Sequence, residues 1–399
     1  MNQALTMELE THGVAKGGDA VARESDGRVV FVKGALPDEK VRVEITESKK
    51  AFLRGRVIEV INPSPHRVEP SCVEVAKGCG GCDYQFIAPA QQLVLKAKVV
   101  TDALERIGRL GNIPDPGVVP LAPKGYRTTV RCVIDKGRAG YRAWHSHDPV
   151  AVESCEVAHP LVAELMETER FDGAAEVMIR AGAATGERMI LVGPSASGIR
   201  VDTPDVVLIG KDELKAGRRA WITEELADRS WRIGAGSFFQ ARPDGAQALI
   251  EAVRTAIGEL PTAARAVDLY GGVGLFAGTV FGEDTQIVLI EQNASSVADA
   301  KVNLSGRNVR VVRSKVERWT PKRADAVVAD PARQGLGKDV VARISGTNTP
   351  VVALVSCDAA ALGRDAGLFA AEGYRLESVT LIDMFPMTSH TETVSRFVR

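Results

Sequence analysis

The last third of the chain alternates between two kinds of segment. The apolar runs ARAVDL, QIVLIE, VRVVR, ADAVVAD and PVVALVS recur there, with segments of helical character such as NASSVADAKVNLSG and DAAALGRDAGLFAAEG between or after them. A helix between two strands returns the chain to the edge it left, so successive strands must run parallel. The pattern therefore predicts a parallel sheet covered by helices on both faces, an α/β Rossmann-like layer. In such sheets ligands sit beyond the carboxyl ends of the strands, where strand order reverses.

The residues at those strand ends carry chemistry. The first strand runs into DLYGGVGLF, where Gly271, Gly272 and Gly274 permit a tight turn and a close approach to a ligand. Glu291 closes the second strand, at the place where an acid accepts both hydroxyls of a ribose. The loop is not GxGxxG and offers no phosphate clamp, which disfavours a dinucleotide and suits S-adenosylmethionine. A plain strand-to-helix turn would account for the glycines, but not for Glu291.

Asp330 ends the fourth strand in VVADPARQG, and Cys357 follows the fifth in LVSCDAAALGRD. A lone thiol is most often core filler. This one stands at a strand-to-helix junction, where a helix N-terminus stabilises a thiolate, and is expected to act as a nucleophile. Glu392 precedes TVSRFVR. If that last strand runs antiparallel, its start meets the edge that holds Asp330 and Cys357, and the three line one cleft. Otherwise Glu392 is a solvated surface acid. A thiol with an acid partner suits methylation at uracil C5. Addition of the thiolate at C6 turns an unreactive ring into an enolate that attacks from C5, and a base then takes the C5 proton. Cys357 is the nucleophile and Glu392 the base in this reading, and the target base must leave its stack.

A chain of 399 residues is longer than one core usually supports, so further domains are expected. Residues 1–62 read as short alternating strands with Gly-rich turns, a small β-barrel. The proline-rich NPSPHRVEPSC ends that unit. Next, PAQQLVLKAKVVTDALERIG sets Leu93, Val94, Ala97, Val100, Leu104 and Ile107 at helical spacing. From about 120 to 231 strands and helices mix without a pattern that fixes the topology. Cys72, Cys79 and Cys82 form a Cys-x6-Cys-x2-Cys array that Cys155 can complete. Four thiolates serve zinc or an iron–sulfur cluster, and the uneven spacing excludes a disulfide scaffold. Cys132 is left over as a buried apolar residue.

With 45% hydrophobic and 25% charged residues and no long apolar run, the composition predicts a globular protein without a membrane span. MNQALTMELETHG lacks the basic-then-apolar order of a secretory signal, so a cytoplasmic location is expected. A net charge of −1 argues against an extended nucleic-acid face. One local run keeps RNA open as a partner: Lys124, Arg127, Arg131, Lys136, Arg138 and Arg142 stand against the single acid Asp135. The plainer reading of that run is a solvated face.

Taken in order, CGGCDYQ, SFFQ, DLYGGVGLF, DPARQG, LVSCDAAALGRD and DMFPMTSHTETV resemble the bacterial RNA uracil-5-methyltransferases, which act on tRNA or 23S ribosomal RNA, over nearly the whole chain. The resemblance implies three domains: an N-terminal OB-fold (TRAM-like) barrel over 1–62, an α+β central domain over 63–230, and a class I methyltransferase domain over 231–399 on which the helix at 90–110 packs. It implies a [4Fe–4S] cluster on Cys72, Cys79, Cys82 and Cys155. It also implies S-adenosylmethionine contacts at Gln240, Tyr270, Glu291 and Asp330, with Cys357 as nucleophile and Glu392 as proton acceptor. The implied substrate is a uridine in a loop or flipped out of its stack, bound by a monomer. This chain departs from the family pattern at Arg242, where SFFQxN ends in Asn, at Ala332 within DPPR, and at Leu275 after the glycine loop. A base N-methyltransferase on the same fold would show (N/D)PP(Y/F), where Arg333 stands here. A non-catalytic iron–sulfur RNA-binding protein would leave Glu291, Asp330, Cys357 and Glu392 without purpose.

Overall fold

The computed structural model describes residues 5–144 and 146–399. Residues 1–4, where MNQALTMELETHG begins, lie outside the described residues. Strands β1 (Thr6–Val14), β2 (Ala20–Arg23), β3 (Val29–Lys33), β4 (Lys40–Ser48) and β5 (Phe52–Asn62) close a barrel in the order β1-β2-β3-β5-β4. Leu9, Ala20, Ala22, Val30, Val32, Val41, Val43 and Leu53 fill it. On β1 and β4 these inward residues alternate with charged outward ones, the period-two pattern of a strand with one dry face.

Beyond the barrel come the single turn α1 (Val73–Ala76), the long helix α2 (Pro89–Arg106) and a three-residue strand β6 (Gly117–Val119). The middle of the chain forms β7 (Thr129–Asp135), β8 (Arg138–Arg142), β9 (Pro149–Ala151), α3 (Pro160–Thr168), β10 (Glu176–Ala181), β11 (Arg188–Gly193) and β12 (Val206–Gly210). Its sheet has the order β12-β11-β10-β7-β8-β9 and is antiparallel except between β11 and β12. Cys132 on β7 is 2% exposed in the core of this layer. A short helix α4 (Lys211–Lys215) and the ribbon β13 (Trp221–Leu226) and β14 (Arg229–Gly234) lead to the final domain.

That domain runs α5 (Pro243–Ile257), β15 (Arg265–Leu269), α6 (Leu275–Thr279), β16 (Gln286–Glu291), α7 (Ala294–Asn303), β17 (Val309–Arg313), β18 (Ala326–Ala329), α8 (Gly337–Ser345), β19 (Val351–Ser356), α9 (Ala359–Ala371), β20 (Arg375–Ile382) and β21 (Thr393–Val398). The sheet order is β17-β16-β15-β18-β19-β21-β20-β6, with β21 antiparallel to its neighbours. Both faces are dry. On β19, Val351, Ala353 and Val355 join the core under α5, while Val352 and Leu354 join the core under α8 and α9. Such a strand reads as a continuous apolar run because each alternate residue meets a different helix layer. The sequence reading found five strands of this sheet and the terminal β21. It missed β20, whose Arg375, Glu377, Ser378 and Thr380 interrupt the apolar pattern, and β6, which is three residues long.

Helix α2 lies on this sheet far from its sequence neighbours. Val100 and Leu104 enter the same core as Leu362 and Phe369 of α9. The two helices nearly touch backbones: a Cβ at Gly363 would stand 2.3 Å from the Ala103 carbonyl oxygen. Among the described residues no helix is long and apolar enough to cross a membrane.

Candidate active site

At the carboxyl edge of the sheet, β15 pairs with β16 at Leu269↔Ile290 and with β18 at Leu269↔Ala329. The next residues are Tyr270, Glu291 and Asp330, so these three stand side by side. Tyr270 (φ 60), Gly272 (φ 54) and Gly274 (φ 96) all take left-handed conformations. For Tyr270 this is a strained choice, of the kind that collects at functional sites. The Glu291 carboxylate accepts from the amides of Gly272 (3.1 Å) and Asn293 (2.6 Å), which fixes its orientation. A cleft of about 420 Å³ opens here, lined by Tyr270, Glu291, Ser314, Glu317, Pro331 and Gln334 among others. Beneath it Asp268, fully buried, accepts from the Ala277 amide through Oδ2 (2.9 Å), and its Oδ1 has no hydrogen-bond partner. Burial, with Asp330 and Glu291 nearby, pushes its carboxyl up to about 8.

A second cleft, of about 820 Å³, is lined by Lys16, Asp83, Trp144, Arg333, Cys357 and His390 among others. Ser356 of β19 pairs with Thr393 of β21. Cys357 and Glu392 are the next residues outward on these two strands, so both lie at one end of the pair. The condition set by the sequence, an antiparallel last strand, is met. The segment from Asp330 to Arg333 divides the two clefts, since Pro331 and Ala332 line the first and Arg333 the second.

The electrostatics correct one expectation. The helix N-terminus does not hold Cys357 as a thiolate, because α9 is capped by Asp358, whose Oδ1 accepts from the Ala361 amide at 2.8 Å. Burial, with the Glu392 and Asp330 carboxylates beside it, pushes the Cys357 thiol up to about 12. Burial also raises Asp330 to about 7, and burial together with Asp330 lifts Glu392, 5% exposed, well above the carboxylate range. Two close acids in a dry site cannot both ionise readily, so at neutral pH they retain a proton. His390 is pushed down to about 4, by burial and then by the cations Arg333, Arg127 and Lys96, and is neutral.

The loop that carries His390 and Glu392 is held from below by buried polar groups. Gln92 of α2 donates to the Tyr84 (3.1 Å) and Ile87 (2.9 Å) carbonyls and accepts from the Met387 amide (2.9 Å). Lys96, 1% exposed, pairs with Asp383 at 2.6 Å and donates to the Phe385 carbonyl. Arg242, fully buried, pairs with Asp244 and donates to the carbonyls of Asp383, Met384 and Ala122. The sequence reading noted Arg242 as a departure and passed over Gln92, Lys96 and Asp268. Polar residues inside an otherwise apolar helix face are the signal that would have exposed Gln92 and Lys96. Gln240 is 8% exposed in the turn between β14 and α5 and does not line either cleft.

The four singled-out cysteines come together from two distant segments. Cys72, Cys79, Cys82 and Cys155 line one cavity of about 370 Å³ with Arg127 and Tyr141. Burial pushes the Cys82 thiol up to about 12. Among the described residues no three His, Cys, Asp or Glu side chains close on a point that would hold a single metal ion. The basic run divides. Arg127 turns toward this cavity, Lys124 pairs with Glu156 at 3.2 Å, and Arg131, Lys136, Arg138 and Arg142 are exposed.

Comparison with known proteins adds three findings. The model of the TRAM domain matches residues 5–58, the barrel. An uncharacterized RNA methyltransferase of Streptomyces coelicolor is 36% identical over 97% of this chain and 92% of its own length. One of Thermosynechococcus vestitus is 32% identical over 98% of both. Among solved structures, the Pyrococcus abyssi tRNA (uracil-54, C5)-methyltransferase in complex with S-adenosyl-L-homocysteine aligns with a TM-score of 0.74 over 98% of this chain and all of its own, at 22% identity. At that identity the match carries the fold: a barrel, a central domain and a class I methyltransferase sheet in one arrangement.

Proposed function

The chain belongs to the RNA methyltransferases that carry a TRAM domain, and from that premise we propose that it methylates C5 of a uridine in tRNA or 23S ribosomal RNA, with S-adenosylmethionine as the donor. One observation carries the reading: Cys357 and Glu392 continue paired strands at Ser356↔Thr393, beside the edge that bears Glu291 and Asp330. Methylation of a base nitrogen requires neither a thiol nor a second acid there. The Pyrococcus relative, whose printed name is that of a uracil C5 enzyme, agrees with this choice.

The donor cleft suits an adenosine group, with Tyr270 and the Glu291 carboxylate on its wall. Gln240 is carried as a donor contact by the resemblance alone. S-adenosylmethionine supplies an electrophilic methyl group on a sulfonium. The chain's own residues supply the rest. Cys357 loses its proton and forms a bond from Sγ to C6 of the uracil, whose C5–C6 electron pair shifts toward the C4 carbonyl. C5 then bonds to the methyl group as that group's bond to the donor sulfur breaks, and the sulfur leaves as the neutral thioether of S-adenosylhomocysteine. Glu392 takes the proton from C5, the C5–C6 double bond re-forms, and the Sγ–C6 bond breaks. Because the thiol is neutral at rest, attack requires a proton acceptor: the ionised member of the Asp330 and Glu392 pair takes the Sγ proton and passes it to solvent, so that Glu392 is ionised when the C5 proton is released. Asp330 and Arg333 stand between donor and base. The uridine enters unpaired, since a stacked base cannot reach a buried thiol.

A [4Fe–4S] cluster on Cys72, Cys79, Cys82 and Cys155 is carried by the resemblance, and the meeting of these four cysteines at one cavity supports it. The donors are all sulfur and line one cavity, a set that a cluster takes. Bound there, a cluster ties the loop that carries Asp83 and Tyr84 to the central sheet, and no step above needs electron transfer.

Purified protein, a labelled methyl donor, and separate tRNA and ribosomal RNA pools test the reading. Label recovered as 5-methyluridine is the expected result. Label on a purine or on a base nitrogen would refute it.

A further inference from the structure

A cleft that the reaction above does not use lies next to the one that holds Cys357. It has about 740 Å³ of space, open to solvent, between the barrel and the cysteine loop. Lys33, Asp83, Gln85, Phe86 and Trp144 are on its wall. Gly17, Asp83 and Trp144 line both clefts, so the two are neighbours.

The barrel sends one lysine into each. Lys16 lines the cleft of Cys357 and pairs with Asp358 at 2.6 Å. Lys33 lines the second, its Nζ 4.9 Å from the centre of the Trp144 ring. Burial lowers the Lys33 amine, and the Asp19 and Asp83 carboxylates oppose that. Asp83 accepts from the Ser389 amide through Oδ1 (2.9 Å), while its Oδ2 is buried without a hydrogen-bond partner. The barrel turn is seated firmly here: a Cβ at Gly18 would meet Ser389 and Tyr84 at 2.8 Å.

An aromatic face, a cation and an unused buried acceptor are the three things an unpaired nucleotide needs, for stacking, for its phosphate and for a base edge. We propose that this second cleft seats the nucleotide next to the methylated one, its base stacked against Trp144 and its phosphate on Lys33. The chain then holds two consecutive unpaired nucleotides, one in each cleft. In the free protein Lys33 covers the ring, and it exchanges the ring for phosphate as the strand enters. The proposal rests on the RNA reading above.

Displacement of a fluorescein-labelled hexauridylate from the full chain tests it, with uridine 5′-monophosphate and the dinucleotide pUpU as competitors. The dinucleotide should bind roughly 5- to 150-fold more tightly than the mononucleotide, the span that one stacked base contributes. Lys33→Gln should lose most of that advantage with mononucleotide affinity unchanged, Trp144→Ala should weaken the dinucleotide more than the mononucleotide, and Trp144→Phe should keep the advantage. An advantage that persists in both variants, equal losses for the two competitors, or no advantage in the wild type would overturn the proposal. Methylation of the RNA pools is scored separately. A wild type that makes no 5-methyluridine but keeps a Trp144-dependent advantage would break the reaction assignment and leave the second seat standing.

Discussion

The clefts proposed above for the methyl donor and for the acceptor base, the donor cleft and the acceptor cleft, share the wall from Asp330 to Arg333, yet they are assembled differently. The donor cleft is made by one continuous part of the fold, from Tyr270 to Gly335. The acceptor cleft gathers Lys16 from the barrel, Asp83 from the cysteine loop, Trp144 from the central region, and Cys357 and His390 from the sheet domain. The first needs only the sheet to form. The second needs three domains to dock. Methyl-donor binding should therefore be robust to changes that dismantle the RNA side, and the reverse should not hold.

The largest effect should come from Cys357→Ala. Methylation should fall below detection in the labelled-donor assay, while calorimetric affinity for S-adenosylmethionine stays as in the wild type. A drop in donor affinity would mean the two clefts are not separable. Next is Lys96→Ala, which leaves Asp383 buried without its partner. Breaking a buried pair in this way costs about 3–5 kcal/mol, and urea unfolding should show it. Lys96→Met, which keeps the buried stem but not the charge, should lose nearly as much, and adding Asp383→Asn to it should recover most of that loss, which a purely local packing defect would not allow.

Glu291→Ala acts on the other cleft. Loss of a charged acceptor for a ribose hydroxyl is worth roughly 1.5–3 kcal/mol per bond, so donor affinity should fall about 10- to 150-fold. The rate at saturating donor should change little. A lowered rate with unchanged affinity would move Glu291 from binding to chemistry.

How far the sequence foretold these clefts follows from how they are built. Tyr270, Glu291, Asp330 and Cys357 each end a strand that is a clear apolar run, so a parallel sheet brings them to one edge without further information. The barrel and the sheet domain were legible for the same reason. Lys16, Trp144 and His390 belong to the acceptor cleft through docking between domains, which no local period records. The Cys357 environment was misread because sequence shows a helix start but not that Asp358 already caps it, nor that two acids crowd the thiol. The central sheet escaped because its strand order β12-β11-β10-β7-β8-β9 is set by tertiary pairing.

The smallest effect concerns pH, and the two properties move in opposite directions. Asp330, raised to about 7, and Glu392, raised further, bind protons in the folded chain that the unfolded chain releases in the ordinary carboxylate range. Their contribution to stability is full below that range and is lost as pH rises through about 7. The proposed reaction needs the ionised base and the thiolate, so activity should climb over the same interval and beyond. Thermal unfolding of Glu392→Gln should show a higher Tm than the wild type at pH 8 and a shallower fall with pH. An unchanged Tm slope would remove Glu392 from the buried pair.

The central claim is a covalent passage through Cys357 released by Glu392, and trapping measures it directly. Glu392→Gln should still form the Cys357–C6 bond and transfer the methyl group, but lack the base that permits elimination. A labelled protein–RNA adduct should therefore persist through denaturing electrophoresis, and be absent from the Cys357→Ala, Glu392→Gln double variant. Wild-type protein with 5-fluorouridine-substituted RNA should give the same band, since fluorine at C5 cannot leave as a proton. Rapid turnover by Glu392→Gln with no adduct, on an RNA that the wild type methylates, would contradict the account.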